Sequence, residues 1–80
     1  MEKAPASLPE FDADRFAAEV DLAAVRVALG WTQAEMASVM CCDRSQISRW
    51  EAGLTQPHGL ARRDYWRLHW EIRAAAGEAA

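Results

Sequence analysis

Long hydrophobic runs are absent from this sequence of 80 residues. No segment approaches the roughly 18 consecutive apolar residues that indicate a membrane-spanning helix, so no transmembrane segment is expected. The first residues are acidic and lack the apolar segment of a secretory signal peptide. We therefore expect a cytoplasmic protein.

Cysteine and histidine are also scarce, which bears on metal binding and catalysis. The two cysteines, Cys41 and Cys42, are adjacent, which disfavours an ordinary disulfide framework, and no cysteine–histidine set has zinc-like spacing. The only histidines, His58 and His69, have no serine or cysteine at a spacing that suggests an activated nucleophile, and no glycine-rich phosphate loop is present. We therefore predict no metal, no cofactor and no catalytic residues, and a protein that is not an enzyme.

Net positive charge is lacking too, since the chain carries −3 at neutral pH, which by itself argues against a nucleic-acid partner. The distribution of charge argues the other way. Residues 43–70 contain five arginines and three acidic residues, whereas residues 1–42 contain seven acidic residues and three basic ones. A local basic face is what binds phosphate, so the whole-chain charge is a weak test. The alternative is that these arginines form an ordinary solvated surface.

The length and the aromatic content predict one small domain. A chain of 80 residues buries only a modest fraction of its surface and is marginally stable alone. Four tryptophans, two phenylalanines and one tyrosine offset this by supplying large apolar area. Association of two copies would stabilise the domain further.

The stretch from Thr32 to Gly53 predicts two short helices joined by a tight turn. Thr32 and Glu35 have the spacing of a capping box, in which each side chain bonds the other residue's backbone N–H at the start of a helix. Apolar residues then recur at helical spacing, namely Met36, Ala37, Val39 and Met40.

The second helix of this stretch is expected to begin at Asp43, whose short carboxylate can accept hydrogen bonds from the first N–H groups. Ile47 and Trp50 are three residues apart and share one face, which we expect to be buried. Gly53 ends the helix, because glycine adopts a positive φ at little cost. The remaining side chains then point outward as a rigid row, namely Arg44, Ser45, Gln46 and Arg49. Arginine can bridge guanine O6 and N7 in the major groove of DNA.

The run LGWTQAEMASVMCCDRSQISRWEAG resembles the helix-turn-helix of the Cro and phage-repressor (Xre) family, whose usual form is close to lGlTQeeLAeklGvsrstISrwErG. The resemblance covers about residues 22–57. It implies an all-α fold, a compact four- to five-helix bundle of the lambda-repressor-like type with a longer C-terminal helix.

The resemblance also implies roles for individual residues in binding double-stranded DNA. The residues that match base-reading positions are Arg44, Ser45 and Arg49. Contacts with the DNA backbone are expected from Gln33, Asp43, Gln46, Ser48, Thr55, Gln56, Arg62 and Arg63. Asp43 could instead accept a hydrogen bond from cytosine N4, although we favour its capping role.

The rest of the chain divides around this motif. Residues 1–11, with Pro5 and Pro9, are predicted to form a flexible arm. The DNA-binding domain is expected over residues 12–76, and residues 77–80 are predicted to be a frayed tail. A helix starting near Asp12 or Asp14 should run to Leu29, with a possible break at Asp21, and the packing of residues 12–20 is left open.

Cys41 departs from the family pattern, because it occupies the position where the family has a glycine in the turn. Either the turn has a different geometry, or Cys41 bears the strain of a left-handed conformation, roughly 1 kcal/mol. One interpretation of Cys41 and Cys42 is a redox or metal switch. The favoured interpretation is a turn residue followed by a small buried hydrophobic residue.

The last helix, from Gly59 or Leu60 to about Ala75, carries two apolar stripes. The first closes the core and consists of Ala61, Tyr65, Leu68 and Ile72. The second is formed by Trp66 and Trp70, and two exposed indoles on one short helix would be unusual for a monomer. Either the helix is buried on two sides within one chain, or a two-fold dimer interface is formed by Trp66, Trp70 and Arg73.

The function expected from these features is sequence-specific repression of transcription. A homodimer would read a palindromic operator with one recognition helix per half-site in the major groove. Such compact repressors are commonly autoregulatory and occur in phages and mobile elements, and some are associated with anti-CRISPR genes. The alternative is an antitoxin that binds a toxin protein as well as its promoter, which the acidic N-terminal residues suggest.

Overall fold

The computed structural model describes residues 8–77 and contains five α-helices and no strand within that range. In chain order they are α1 (Ala13–Glu19), α2 (Leu22–Leu29), α3 (Gln33–Met40), α4 (Arg44–Glu51) and α5 (Gly59–Ala75). The predicted all-α fold with a long C-terminal helix is confirmed. No helix in the described part of the chain is long and apolar enough to cross a membrane.

Two aspartates separate α1 from α2. The carboxylate of Asp12 accepts hydrogen bonds from the backbone N–H groups of Asp14 and Arg15, at 2.9 and 3.1 Å. The carboxylate of Asp21 accepts from Ala24 N at 3.1 Å, and Val20 between the two helices is extended. Each cap satisfies N–H groups that have no partner inside the helix. The break predicted at Asp21 is therefore present.

Left-handed residues end both α2 and α3. Gly30 closes α2 with a φ of 75°, and Cys41 closes α3 with a φ of 58°. The turn before α4 therefore keeps the left-handed geometry for which the family has glycine. Of the two alternatives for this position, the structure shows the second, in which Cys41 bears the strain of about 1–2 kcal/mol.

The core lies where α2, α3, α4 and α5 meet. Its most deeply buried side chains are Met36, Ile47 and Tyr65, each 0% exposed, and Trp66 at 2%. The other buried hydrophobic residues are Phe16, Val25, Ala37, Met40, Trp50, Leu68 and Trp70. The apolar stripe of α5 therefore closes the bundle as predicted.

The segment before α1 packs against α5. Trp66 Nε1 donates a hydrogen bond to the carbonyl oxygen of Pro9 at 2.8 Å. The ring of Phe11 meets Trp66 edge-on at 5.4 Å and lies 5.9 Å from the ring of Phe16. The described part of the predicted flexible arm is therefore docked rather than free. Residues 1–7 and 78–80, which complete the predicted arm and tail, lie outside the described residues.

Helix α1 also covers the tryptophan stripe of α5. The guanidinium of Arg15 lies 5.0 Å from the ring of Trp70 and 6.0 Å from that of Trp66. Trp66 and Trp70 are 2% and 9% exposed within one chain, so the indoles are not a free surface. The predicted dimer interface of Trp66, Trp70 and Arg73 depended on exposed indoles, and these two indoles are buried within one chain. The structure instead matches the alternative in which α5 is buried on two sides.

Candidate nucleic-acid interface

Helix α4 is held to the protein by one face. Ile47 is 0% exposed and Trp50 is 6% exposed, and the ring of Trp50 meets that of Tyr65 edge-on at 6.1 Å. On the opposite side Arg44, Ser45 and Arg49 are exposed. The predicted burial of Ile47 and Trp50 is confirmed. The helix therefore presents a side-chain row whose position is fixed by a close-packed core.

Asp43 precedes α4 as predicted but does not cap it with its side chain. Its backbone carbonyl accepts the first hydrogen bonds of the helix, from Gln46 N at 2.9 Å and Ile47 N at 3.3 Å. The predicted side-chain cap is therefore wrong, because the turn at Cys41 and the burial of Ile47 position the start of α4 without it. The exposed carboxylate of Asp43 stays beside Arg44, where it can accept a hydrogen bond from a base amino group.

Gln33 connects α3 to the exposed row of α4. Its side-chain Nε2 donates to Glu51 Oε1 at 3.1 Å, which fixes the orientation of the amide. Its Oε1 then faces Arg44 Nη1 at 3.5 Å, the length of a weak hydrogen bond. Gln33 thus links a half-buried carboxylate to an exposed guanidinium. The side chain of Gln33 therefore lies beside Arg44, one of the residues predicted to read bases.

Arg26 and Glu51 form the ion pair beneath this link. Arg26 Nε lies 2.7 Å from Glu51 Oε2 and Nη2 lies 3.2 Å from Oε1, a two-bond geometry. Arg26 Nη1 also donates to the carbonyl of Trp31 at 2.9 Å. The side chains of Arg26 and Glu51 are only 18% and 9% exposed. The pair therefore joins α2 to the C-terminal end of α4 in a partly water-excluded site.

The pKa values of the pair follow from this geometry. Burial raises the pKa of Glu51, but hydrogen bonds from Arg26 and Gln33 outweigh burial, and the net pKa lies below the ordinary value. The hydrogen bond to Glu51 raises the pKa of Arg26. Both groups are therefore ionised at neutral pH.

Arg26 was not among the predicted site residues, although the sequence carries one signal for it. Arg26 is the only charged residue of α2, whose sequence is LAAVRVAL. A lone charge within an apolar helix is costly to bury unless it is paired. Its partner, 25 residues further along the chain, could not be identified from spacing alone.

The arginines fall into two groups according to their partners. Arg15 pairs with Glu19, Arg26 with Glu51, and Arg67 with both Asp64 and Glu71. Within residues 8–77, no carboxylate pairs with the four arginines predicted to contact DNA, namely Arg44, Arg49, Arg62 and Arg63. Uncompensated guanidinium groups are suited to bind phosphate or guanine.

The two predicted backbone-contacting residues on α4 are both partly buried. Gln46 and Ser48 are half-buried, and Gln46 Oε1 accepts a hydrogen bond from Arg49 Nη2 at 2.6 Å. This bond orients the guanidinium of Arg49 along the helix surface. Gln46 is thus positioned as a support for Arg49 in the free protein.

The remaining predicted residues follow α4. Thr55 and Gln56 are exposed in the loop between α4 and α5. Arg62 and Arg63 lie near the N-terminus of α5, with their guanidinium groups 4.7 and 5.6 Å from the ring of Phe11. The contact with Phe11 was not anticipated, because the arm was expected to be free.

The two cysteines differ in their surroundings. Cys41 is exposed, whereas Cys42 is half-buried and packs against the core. Burial, together with the nearby charge of Asp43, raises the pKa of the Cys42 thiol. Within the described part of the chain, no three cysteine, histidine or acidic side chains are grouped to hold a metal ion. The arrangement matches a turn residue followed by a small, partly buried hydrophobic residue.

Comparison with known proteins identifies the motif. Residues 22–59 match the family model described as helix-turn-helix, a range that contains α2, α3 and α4 and ends at the first residue of α5. No curated protein and no solved structure gives a significant match to the chain. The matched family is regulatory and typically non-enzymatic. The helix-turn-helix of residues 22–59 therefore belongs to the family of Cro/C1-type (Xre) helix-turn-helix proteins, and this match supports a DNA-binding regulator.

Proposed function

We propose that the protein is a repressor that reads a palindromic operator as a homodimer, with α4 of each copy in the major groove. The observation that carries this proposal is the two-sided character of α4. Ile47 and Trp50 fix one face in the core, while Arg44 and Arg49 stand exposed on the other without a carboxylate partner among residues 8–77.

The chemistry of the exposed row suits base recognition. A guanidinium that bonds guanine O6 and N7 together discriminates by about 1–3 kcal/mol against other bases. Arg44 is steered by Gln33 and Arg49 by Gln46, so both side chains are partly ordered before DNA arrives. Ordering in the free protein reduces the entropy lost on binding. Ser45 between them can donate to or accept from either base of a pair.

Dimerisation follows from the size of the motif. A single helix of eight residues reads only a few base pairs, which is too little to define a site. Two copies related by a two-fold axis read half-sites about 34–36 Å apart, on one side of the duplex. Occlusion of RNA polymerase is then the simplest mechanism of repression, and an operator in the protein's own promoter would make it autoregulatory.

The antitoxin alternative has less support. It was suggested by the acidic residues near the N-terminus. The carboxylates of Asp12 and Asp21 cap helices, and Glu19 pairs with Arg15, so these residues have roles within the fold. An antitoxin would be distinguished by a need for a partner chain before it binds its promoter.

Selection of bound sites from random duplex DNA, followed by footprinting, tests the proposal. We expect an enriched near-palindromic sequence with two guanine-containing half-sites one helical turn apart. Arg44→Ala should broaden the selected sequence, while the matched control Arg67→Ala removes an arginine that is already paired and should leave it unchanged. Failure to enrich any sequence at low salt would contradict the proposal.

A further inference from the structure

We propose that Phe11 is a positioning residue for DNA-backbone binding by Arg62 and Arg63. Its ring is the platform on which both guanidinium groups are held near the N-terminus of α5. The inference rests on the proposed function, since it requires that these two arginines contact phosphate. It assigns a role in DNA affinity to a residue that lies outside the helix-turn-helix.

The Phe11 ring contacts two guanidinium groups and two other aromatic rings. The guanidinium carbons of Arg62 and Arg63 lie 4.7 and 5.6 Å from the centre of the Phe11 ring, within the range of a cation–π contact. The ring is fixed in turn by Trp66, edge-on at 5.4 Å, and by Phe16 at 5.9 Å. Phe11 therefore belongs to a packed aromatic cluster.

The backbone before Phe11 is also tied down. The carbonyl of Pro9 accepts the hydrogen bond of Trp66 Nε1 at 2.8 Å, across 57 positions of the sequence. This bond satisfies the indole N–H of a side chain that is only 2% exposed. The segment that carries Phe11 is thereby anchored to the middle of α5, one turn beyond Arg62.

A ring is a suitable partner for a cation that must still bind an anion. It attracts the face of a guanidinium but offers no strong acceptor, so the N–H groups at the edge stay available. Within residues 8–77 neither Arg62 nor Arg63 has a carboxylate partner. The Nε of Arg62 is already buried without a hydrogen-bond partner among those residues, so part of its desolvation precedes phosphate binding.

The two arginines lie near the N-terminal end of α5, as its fourth and fifth residues. This end of a helix carries partial positive charge that mildly disfavours cations in its first turn. Arg67, further along α5, is neutralised by Asp64 and Glu71, whereas Arg62 and Arg63 are not. A DNA phosphate would be attracted by both guanidinium groups and by the helix end together. The arginines lie near the start of α5, which begins three residues after Gln56 in the loop that follows α4.

The test compares Phe11→Leu with Phe11→Tyr by fluorescence anisotropy on the selected duplex and on a scrambled duplex. Phe11→Leu keeps apolar bulk but removes the ring, and we expect binding to both duplexes to weaken about threefold to tenfold. Phe11→Tyr keeps the ring and should bind as the wild type does.

Salt dependence separates positioning from direct contact. Arg62→Gln and Arg63→Gln should each lower the slope of log affinity against log salt by about 0.9, the value for one lost phosphate contact. Phe11→Leu should weaken binding with little change in slope, since the charges are still present. In the Arg62→Gln, Arg63→Gln background, Phe11→Leu should cause no further loss.

Each result then has a defined meaning. Wild-type affinity in Phe11→Leu, an undiminished loss in the doubly substituted background, or unchanged salt slopes in the arginine variants would overturn the inference. If Phe11→Leu loses its helical circular dichroism, Phe11→Met is judged in its place by the same criteria. A wild-type protein that binds neither duplex would overturn the proposed function itself, which is a distinguishable outcome.

Discussion

The ion pair between Arg26 and Glu51 should be the most sensitive polar contact in the fold. Glu51 accepts three hydrogen bonds, two from Arg26 and one from Gln33, while its side chain is only 9% exposed. Glu51→Gln keeps the shape but removes the charge, and one oxygen acceptor becomes an NH₂ group that faces the donors of Arg26. An arginine of 18% exposure is then left without its counter-charge.

The expected cost follows from burial. Removing one partner of a fully buried pair costs about 3–5 kcal/mol. Because Arg26 keeps some access to water, we expect Glu51→Gln to lower the free energy of unfolding by about 2–3 kcal/mol at pH 7. The matched control is Glu71→Gln, which breaks the pair with Arg67 at a site where the glutamate is 57% exposed, and it should cost at most about 0.5 kcal/mol.

The pH dependence of stability gives a second signature. The pKa of Glu51 is lowered in the folded state, so its contribution is fully present above the unfolded value of about 4.3 and is lost as pH falls through the lower folded value. Glu51→Gln should lack this acid-sensitive component. Urea unfolding at pH 7 and at several acidic pH values measures both effects. Equal stability losses for Glu51→Gln and Glu71→Gln would refute the reasoning.

Two further predictions concern the interface and the turn. Arg44→Ala should relax the base preference at one base pair per half-site by about 1–3 kcal/mol. Gln33→Ala should instead weaken binding to all sequences alike. Competition with single-base operator variants separates the two effects, and equal losses at every base for Arg44→Ala would count against direct reading. Cys41→Gly should stabilise the fold by about 0.5–1 kcal/mol, since φ is 58° there. Urea unfolding checks this, and a destabilised glycine variant would show that the turn is not strained.

Local signals predicted the centre of the fold well. The capping box of Thr32 and Glu35 is present with both hydrogen bonds, at 3.0 and 2.8 Å. Gly30 ends α2, and α4 buries Ile47 and Trp50 as their spacing indicates. These features depend on residues within a few positions of one another, so the sequence contains the information directly.

Features that depend on distant parts of the chain were not predictable in the same way. The sequence left open whether Trp66 and Trp70 are buried within one chain or in a dimer interface, because nothing in α5 indicates that α1 and Phe11 cover them. The side chain of Asp43 has the chemistry of a cap but makes no capping hydrogen bond. In each case the deciding contact joins residues that are far apart in sequence or depends on a side-chain orientation.

The candidate site also combines features that neighbouring residues determine with features that distant residues determine. Helical periodicity was sufficient to place Arg44, Ser45 and Arg49 on the outer face of α4. It gave no information on which arginines are neutralised by carboxylates, since the pairing of Arg26 with Glu51 joins two separate helices. The contrast between paired and unpaired arginines, which supports DNA binding, therefore required coordinates.

The central claim is that the outer face of α4 enters the duplex. At 8.9 kDa the protein is small enough for its backbone amide and arginine Nε–Hε signals to be followed by NMR during titration with the selected duplex. We predict that the largest shifts occur at Arg44, Ser45 and Arg49, with smaller ones at Thr55 and Gln56, while the amides of α1 between its caps change little. Largest shifts in α1, or unchanged Nε–Hε signals for both Arg44 and Arg49 at saturation, would contradict the account.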